Sequence, residues 1–258
     1  MSVNYLPLQP TSFVGREKEC ADITSLLADR GCRLLTLVGP GGIGKTSLSV
    51  QAASGLVSQF TDGVHFISLA PVTSPDFLPS TIASILQISF FSLEEPRVQL
   101  MNFLSRKQIL LIMDNFEHLL DGAKLLTELL QAAPNLKILV TSRERLSLRE
   151  EWIFPLDGLP YPTESAVDSL ENYGAVQLFV QRARQVQIHF MFDQNVQAVL
   201  SICRQVEGMP LALELAASWL WTMSCAQIAS QIENDIDFLT SPLRNFPERH
   251  RSLLKVFD

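Results

Sequence analysis

Along the chain, short unbroken apolar runs alternate with stretches whose apolar residues recur every three or four positions. The runs from Leu34 to Val38, Val64 to Leu69, Ile109 to Met113 and Leu136 to Val140 have the length and continuity of strands buried on both faces, as in a parallel sheet. Trp152 to Phe154 reads as a short fifth strand. Between them, Cys20, Ile23, Leu26 and Leu27 make one face of an amphipathic helix within 11–30, and Ser47 to Phe60 reads as the helix after the first strand. From Pro71 to Lys107 the pattern is helical but punctuated by Pro75, Pro79 and Pro96. Leu119, Leu120, Ala123, Leu126, Leu129 and Leu130 predict a helix over Phe116 to Ala132, stopped by Pro134. Strands alternating with helices predict an α/β fold with right-handed crossovers, whose ligands collect at the carboxyl ends of the strands.

The run Pro155 to Thr163, PLDGLPYPT, marks a boundary, and beyond it only helical periodicity remains: Ala175 to Val186, Val196 to Val206, Leu211 to Met223 and Ala226 to Ile232. The expected division is therefore an α/β domain over 1–160 and an all-helical domain over 161–240, with 241–258 opening a further helix that stops short. Trp219 and Trp221 read as core packing on the third of these helices. A 258-residue chain that is 47% hydrophobic and 18% charged can bury a sizeable core. Its net charge of −7 argues against wrapping duplex DNA, so nucleic acid is not expected to bind through this stretch. Cys20, Cys32, Cys203 and Cys225 are scattered without metal or redox spacing and read as reduced core thiols. His65, His118, His189 and His250 are far apart and lack an orienting acid. The amino terminus shows no basic segment leading into an apolar run, and the longest apolar stretch, Pro210 to Met223, is too short for a bilayer; no membrane partner and a cytoplasmic address are expected.

Candidate chemistry concentrates after the strands. Gly39, Gly44, Lys45 and Thr46 satisfy G-x-x-x-x-G-K-[ST] between a strand and a helix, the setting of a phosphate cradle. Gly39, Gly41, Gly42, Ile43 and Gly44 would bring backbone N–H groups to phosphate oxygens at a helix start, with Lys45, Thr46 and Ser47 completing the site. Lys45 would reach the β and γ phosphates, while Thr46 and Asp114, at the tip of the third strand, would hold Mg²⁺. An Asp in that place also serves as an ordinary turn or cap residue. Asn115 stands where many P-loop ATPases place an acid, and an amide accepts no proton, so slow hydrolysis is expected. Glu117 is either a substitute base acting through water or a surface acid favoured by a helix start. Arg143, three residues past the fourth strand, is placed to sense a γ-phosphate, the alternative being a solvated charge. Lys45, Asp114 and Arg143 are thus the candidate catalytic residues.

FVGREKE (Phe13 to Glu19), GPGGIGKT (Gly39 to Thr46), LLIMDNFEHLL (Leu110 to Leu120), ILVTSRERL (Ile138 to Leu146) and GMPLALELAA (Gly208 to Ala217) together resemble the STAND class of P-loop NTPases, in particular the NB-ARC-like module of bacterial multidomain regulators. The resemblance implies a five-stranded parallel sheet ordered 5-1-4-3-2, with the five runs numbered in sequence, followed by a helical lid. It implies that Val14, Gly15 and Arg16 meet the adenine end of a nucleotide, and that Pro210, with Leu211 beside it, closes over adenine or ribose. It also implies C-terminal domains beyond this stretch, the first a winged helix whose opening PERHRSLLKVFD resembles. The expected function is an ATP/ADP-binding switch with slow Mg²⁺-dependent hydrolysis and self-association in the ATP state. ATP is favoured over GTP because no N-K-x-D sequence is present. The alternatives are an AAA+-like remodelling or DNA-loading ATPase and a scaffold that binds nucleotide only for stability.

Overall fold

The computed structural model describes residues 4–8, 12–89, 94–163 and 170–239, so the further domain expected at 241–258 lies outside the described residues. The strands are β1 (Asn4–Tyr5), β2 (Leu34–Val38), β3 (Val64–Ser68), β4 (Ile109–Asp114), β5 (Leu136–Ser142) and β6 (Glu151–Pro155). The helices are α1 (Glu17–Ala28), α2 (Lys45–Ser54), α3 (Leu78–Ile85), α4 (Pro96–Leu104), α5 (Lys124–Ala132), α6 (Gly174–Val186), α7 (Val196–Gln205), α8 (Pro210–Ser218) and α9 (Cys225–Asn234). They divide between two units. An α/β unit takes Glu17–Gly39, Lys45–Leu156 and the described part of Met1–Thr11; a helical unit takes Ser12–Arg16, Pro40–Gly44 and the described residues from Asp157 onward.

In the α/β unit all strands are parallel, in the order β1-β3-β4-β5-β2-β6. The five apolar runs thus form the expected sheet in the order 5-1-4-3-2 that the family resemblance implied, with β6 at one edge. All six residues of β4 are buried, the pattern of a central strand with both faces covered. At the edge, β6 is exposed at Trp152 and Ile153. One strand was not anticipated: β1 extends the other edge by pairing Asn4 with Val64 and Tyr5 with His65, where the Tyr5 and His65 rings stack at 4.6 Å. Two residues carry no periodicity, so no pattern could announce it.

The register fixes where the strands end. Val38 lies beside Ser142, Ser68 beside Asp114, and Met113 beside Val140, so β2, β4 and β5 finish along one edge of the sheet. The helix expected over Phe116 to Ala132 is broken: Glu117–Gly122 is a 3-10 turn, Leu119 leaves helical geometry at φ −120° and ψ 19°, and α5 starts only at Lys124. Gly122 presses so closely on the α3 region that a Cβ would fall 2.7 Å from Leu78 Cδ1 and 2.8 Å from Pro75 Cβ. Packing there overrides the local helical signal. Leu125, Leu126, Leu129 and Leu130 then form the buried face of α5.

The helical unit closes on a core built from α6, α7, α8 and α9, in which Phe179 meets Phe190 edge-on at 6.3 Å. Glu214, the one charge in the apolar α8 stretch, pairs with Arg182 of α6 at 2.9 Å. Ser224 and Gln227 form a reciprocal cap at the start of α9. The expected helix through Met223 ends at Ser218, and Trp219–Trp221 is a 3-10 turn. Trp219 packs on Phe238, but Trp221 is 81% exposed, which corrects its reading as core. All four cysteines are free, and burial pushes the Cys203 thiol up to about 12. Among the described residues no helix is long and apolar enough to cross a membrane.

Two backbone segments of this unit touch where no side chain fits. Leu159 N–H donates to Gly208 O at 2.8 Å; a Cβ on Gly208 would fall 2.0 Å from Leu159 O, and one on Gly158 would fall 2.0 Å from Glu207 O. Gly208 also has φ +66°. Gly208→Ala adds a clash with backbone to left-handed strain, and it is expected to lower stability by about 3 kcal/mol or more, read from urea or thermal unfolding.

Candidate functional site

In the α/β unit the site is built around Asp114, which is 2% exposed. Its Oδ1 accepts from the Thr46 hydroxyl at 2.6 Å and from the Thr141 hydroxyl at 2.7 Å. The Asn115 N–H in turn donates to Thr141 Oγ1 at 3.0 Å. Thr46 enters from the first turn of α2, Asp114 from the end of β4 and Thr141 from β5, so three separate elements converge on one carboxylate oxygen. The arrangement follows from the register, which sets the tips of β4 and β5 side by side. Thr141 lies within ILVTSRERL, and a hydroxyl at a strand end beside a strand-tip Asp is the signal that marks it.

Lys45 donates from Nζ to Gly39 O at 2.7 Å, and Gly39 N–H donates to Ser142 O at 3.3 Å, tying both ends of the glycine-rich loop to the sheet edge. Burial pushes the Lys45 ammonium below its usual range; Glu117 opposes that shift most, Arg143 reinforces it, and Asp114 opposes it. Lys45, Asp114, Glu117 and Arg143 therefore occupy one electrostatic neighbourhood. Arg143 Nε lies 3.5 Å from Glu117 Oε1, with side chains 36% and 20% exposed. Thr46 Oγ1 and Asp114 Oδ1 are hard oxygen donors in direct contact, which fits a Mg²⁺ that takes only one or two protein ligands and keeps waters and phosphate oxygens for the rest.

In the helical unit a second group of the expected nucleotide residues comes together. Arg16, with φ 64° and 5% exposure, donates from Nη2 to Ile43 O at 3.0 Å and to Asp157 O at 2.7 Å. It ties the loop apex to the connecting segment. Gly42 (φ +73°) approaches Leu211 so closely that a Cβ would meet Leu211 Cβ at 2.9 Å, and Leu211 N–H donates to Gly42 O at 3.2 Å. A Cβ on Gly44 (φ +93°) would stand 3.9 Å from Pro210 Cγ. Gly15 (φ +68°) lies against Leu159, and Val14 packs on the helical core. Gly41 is half-buried in the turn, and Ser47 is exposed on α2. Thus Gly15, Arg16, Gly42 to Gly44, Pro210 and Leu211 share one network, whereas His65 is elsewhere, buried under Tyr5. The close approach at Gly158 and Gly208 went unnoticed in the sequence, since a glycine in a loop looks the same whether or not backbone passes over it.

Residues 28–147 match the AAA domain family. A putative HTH-type transcriptional regulator of Mycobacterium tuberculosis is 36% identical over 228 residues, covering 88% of this chain and 24% of the regulator. A probable disease resistance protein of Arabidopsis thaliana is 27% identical over 261 residues, covering 97% of this chain and 28% of that protein. The chain thus spans about a quarter of the length of these relatives. Among solved structures, a STAND protein with a tetratricopeptide repeat sensor from Pyrococcus horikoshii superposes with a TM-score of 0.55 at 17% identity, covering 89% of this chain and 33% of that one. The Drosophila ORC bound to DNA gives 0.58 at 16% identity, covering 90% of this chain and 70% of that one. The likeness to STAND-class P-loop NTPases drawn from the motifs is borne out by these findings.

Arg16→Ala would leave Ile43 O and Asp157 O without their charged donor. A hydrogen bond to a charged group contributes about 1.5–3 kcal/mol, so a loss of about 2–3 kcal/mol in stability is expected in denaturant titration, with weaker nucleotide binding.

Proposed function

We propose that this chain, whose residues 28–147 are an AAA-type P-loop ATPase domain of STAND-like architecture, is an ATP/ADP-binding switch module with slow, Mg²⁺-dependent ATP hydrolysis. The observation that carries the reading is the convergence of Thr46 and Thr141 on Asp114 beside Lys45. A buried carboxylate held by two hydroxyls at a strand tip is oriented before any ligand arrives. When bound, Mg²⁺ would draw charge from the β and γ phosphate oxygens. Thr46 and Asp114 would hold it, Lys45 would pair with the β and γ phosphates, and the N–H groups of the loop would cradle them. Arg143 would distinguish ATP from ADP through a bidentate contact with the γ-phosphate. Hydrolysis resets the switch rather than driving work, which agrees with an amide at Asn115.

The loop is one continuous segment whose ends, Gly39 and Lys45, fold with the α/β unit and whose apex, Pro40–Gly44, folds with the helical unit. Whatever the phosphates impose on it is transmitted to both units through the covalent chain. On this proposal ADP and ATP favour different states of the module, the ATP state being competent to self-associate. In this reading the module works in the cytoplasm with further domains of the kind that lengthen its relatives, and a nucleic acid meets those domains rather than this one. A remodelling or DNA-loading ATPase is the second reading, favoured by the likeness of fold to the ORC; ATP turnover that rises with protein concentration would support it.

Denaturing the freshly purified protein and identifying the released nucleotide by chromatography is expected to give ADP near one equivalent; GDP would overturn the adenine assignment. In Arg143→Ala, ATP affinity is expected to fall about tenfold, roughly the loss of one charge-assisted contact, while ADP affinity stays within about twofold by calorimetry.

A further inference from the structure

Asn115 has a left-handed backbone, φ 65°, at the point where β4 ends. Asn is among the few residues other than Gly that take this conformation readily, and a Glu in its place would carry the strain of that φ. The residue after Asp114 is therefore shaped by the turn and not by acid–base chemistry. The same turn brings the chain back so that a carboxylate two residues later returns to the site.

That carboxylate belongs to Glu117. Its Oε1 accepts from Asn115 Nδ2 at 3.3 Å and lies 3.5 Å from Arg143 Nε. Its Oε2 is buried and has no hydrogen-bond partner among the described residues. Glu117 is also the charge that most favours the Lys45 ammonium, ahead of Asp114. The ordinary explanation, an acid capping the 3-10 turn that it opens, fails on geometry, since the turn receives no side-chain cap and Oε2 meets no N–H. A buried carboxylate oxygen left bare is costly, and the economical account is that a water belongs there.

We propose that Glu117 is the general base of ATP hydrolysis, anchored through Oε1 by Asn115 and Arg143 and presenting Oε2 to the attacking water. This rests on the nucleotide site proposed above. The water oxygen bonds to the γ phosphorus, the bond from that phosphorus to the bridging oxygen breaks with its electron pair leaving on ADP, and the water proton passes to Oε2. The protonated carboxyl then returns the proton to solvent. Arg143 is shared between the carboxylate and the γ-phosphate, so sensing and hydrolysis use one guanidinium.

Glu117→Gln preserves shape and the contact with Asn115 but accepts no proton. ADP and ATP affinities by calorimetry are expected within about threefold of wild type, roughly half a tenfold step in free energy. Single-turnover hydrolysis should fall about 100-fold or more, the usual worth of a general base. After mixing with ATP, the nucleotide retained by the variant should be ATP where wild type retains ADP. Glu117→Asp should restore part of the rate. Hydrolysis by Glu117→Gln at the wild-type rate, or wild-type protein that binds ATP and never cleaves it, would overturn the base while leaving the switch. Wild-type protein that binds neither nucleotide would overturn the site itself.

Discussion

The structure depends on a single carboxylate oxygen. Asp114 is almost wholly withdrawn from water, and a buried charge without partners is expensive enough that the group would neutralise or the chain would rearrange. Its Oδ1 instead accepts from hydroxyls of Thr46 and Thr141, so the first turn of α2 and the end of β5 are both pinned to the tip of β4. Removing one hydrogen-bond partner from a charged group costs about 1.5–3 kcal/mol. The same bonds that satisfy the charge also set the distance between the lysine-bearing helix and the strand that leads into Arg143. The stability of the sheet edge and the geometry of the site are thus one problem with one solution.

A second constraint is built from main-chain contacts and one guanidinium. Within the helical unit, Arg16 bridges the loop apex to Asp157, Leu159 N–H meets Gly208 O, and Leu211 N–H meets Gly42 O. Glycines stand where these segments approach, because any Cβ at Gly42, Gly158 or Gly208 would collide. The result is a strap of main chain leading from residue 16 through the loop apex and the connecting segment to the start of α8. Buried main-chain groups must be paired, and here they pair across segments far apart in sequence. Arg16 braces the loop in this arrangement.

The five principal strands were legible because each is a continuous apolar run, and burial on both faces demands such a run. The cradle, Asp114 and Arg143 were legible because their residue types are tied to strand ends. What escaped had no local signal. Tyr5 joins the sheet by stacking on His65, a partner sixty residues away in sequence. The break at Leu119 comes from Gly122 packing on Pro75 and Leu78, which overrides a helical pattern that is otherwise sound. Trp221 satisfied the periodicity of a buried helix, yet α8 ends at Ser218 and the following 3-10 turn rotates the indole outward. In the first two cases a contact distant in sequence decided the outcome, and in the third the point at which a helix stops.

Asn115 shows how a backbone constraint is turned into chemistry. Past Asp114 the chain turns through the left-handed Asn115, whose N–H reaches Thr141 Oγ1, and Phe116 N–H then bonds to Thr141 O. That turn favours a small amide at this position. The acid stands at Glu117, held by that amide and by the arginine. In the function proposed above, a carboxylate tethered on one oxygen and shared with Arg143 would suit slow rather than rapid turnover, as a switch timed by the lifetime of its ATP state would require.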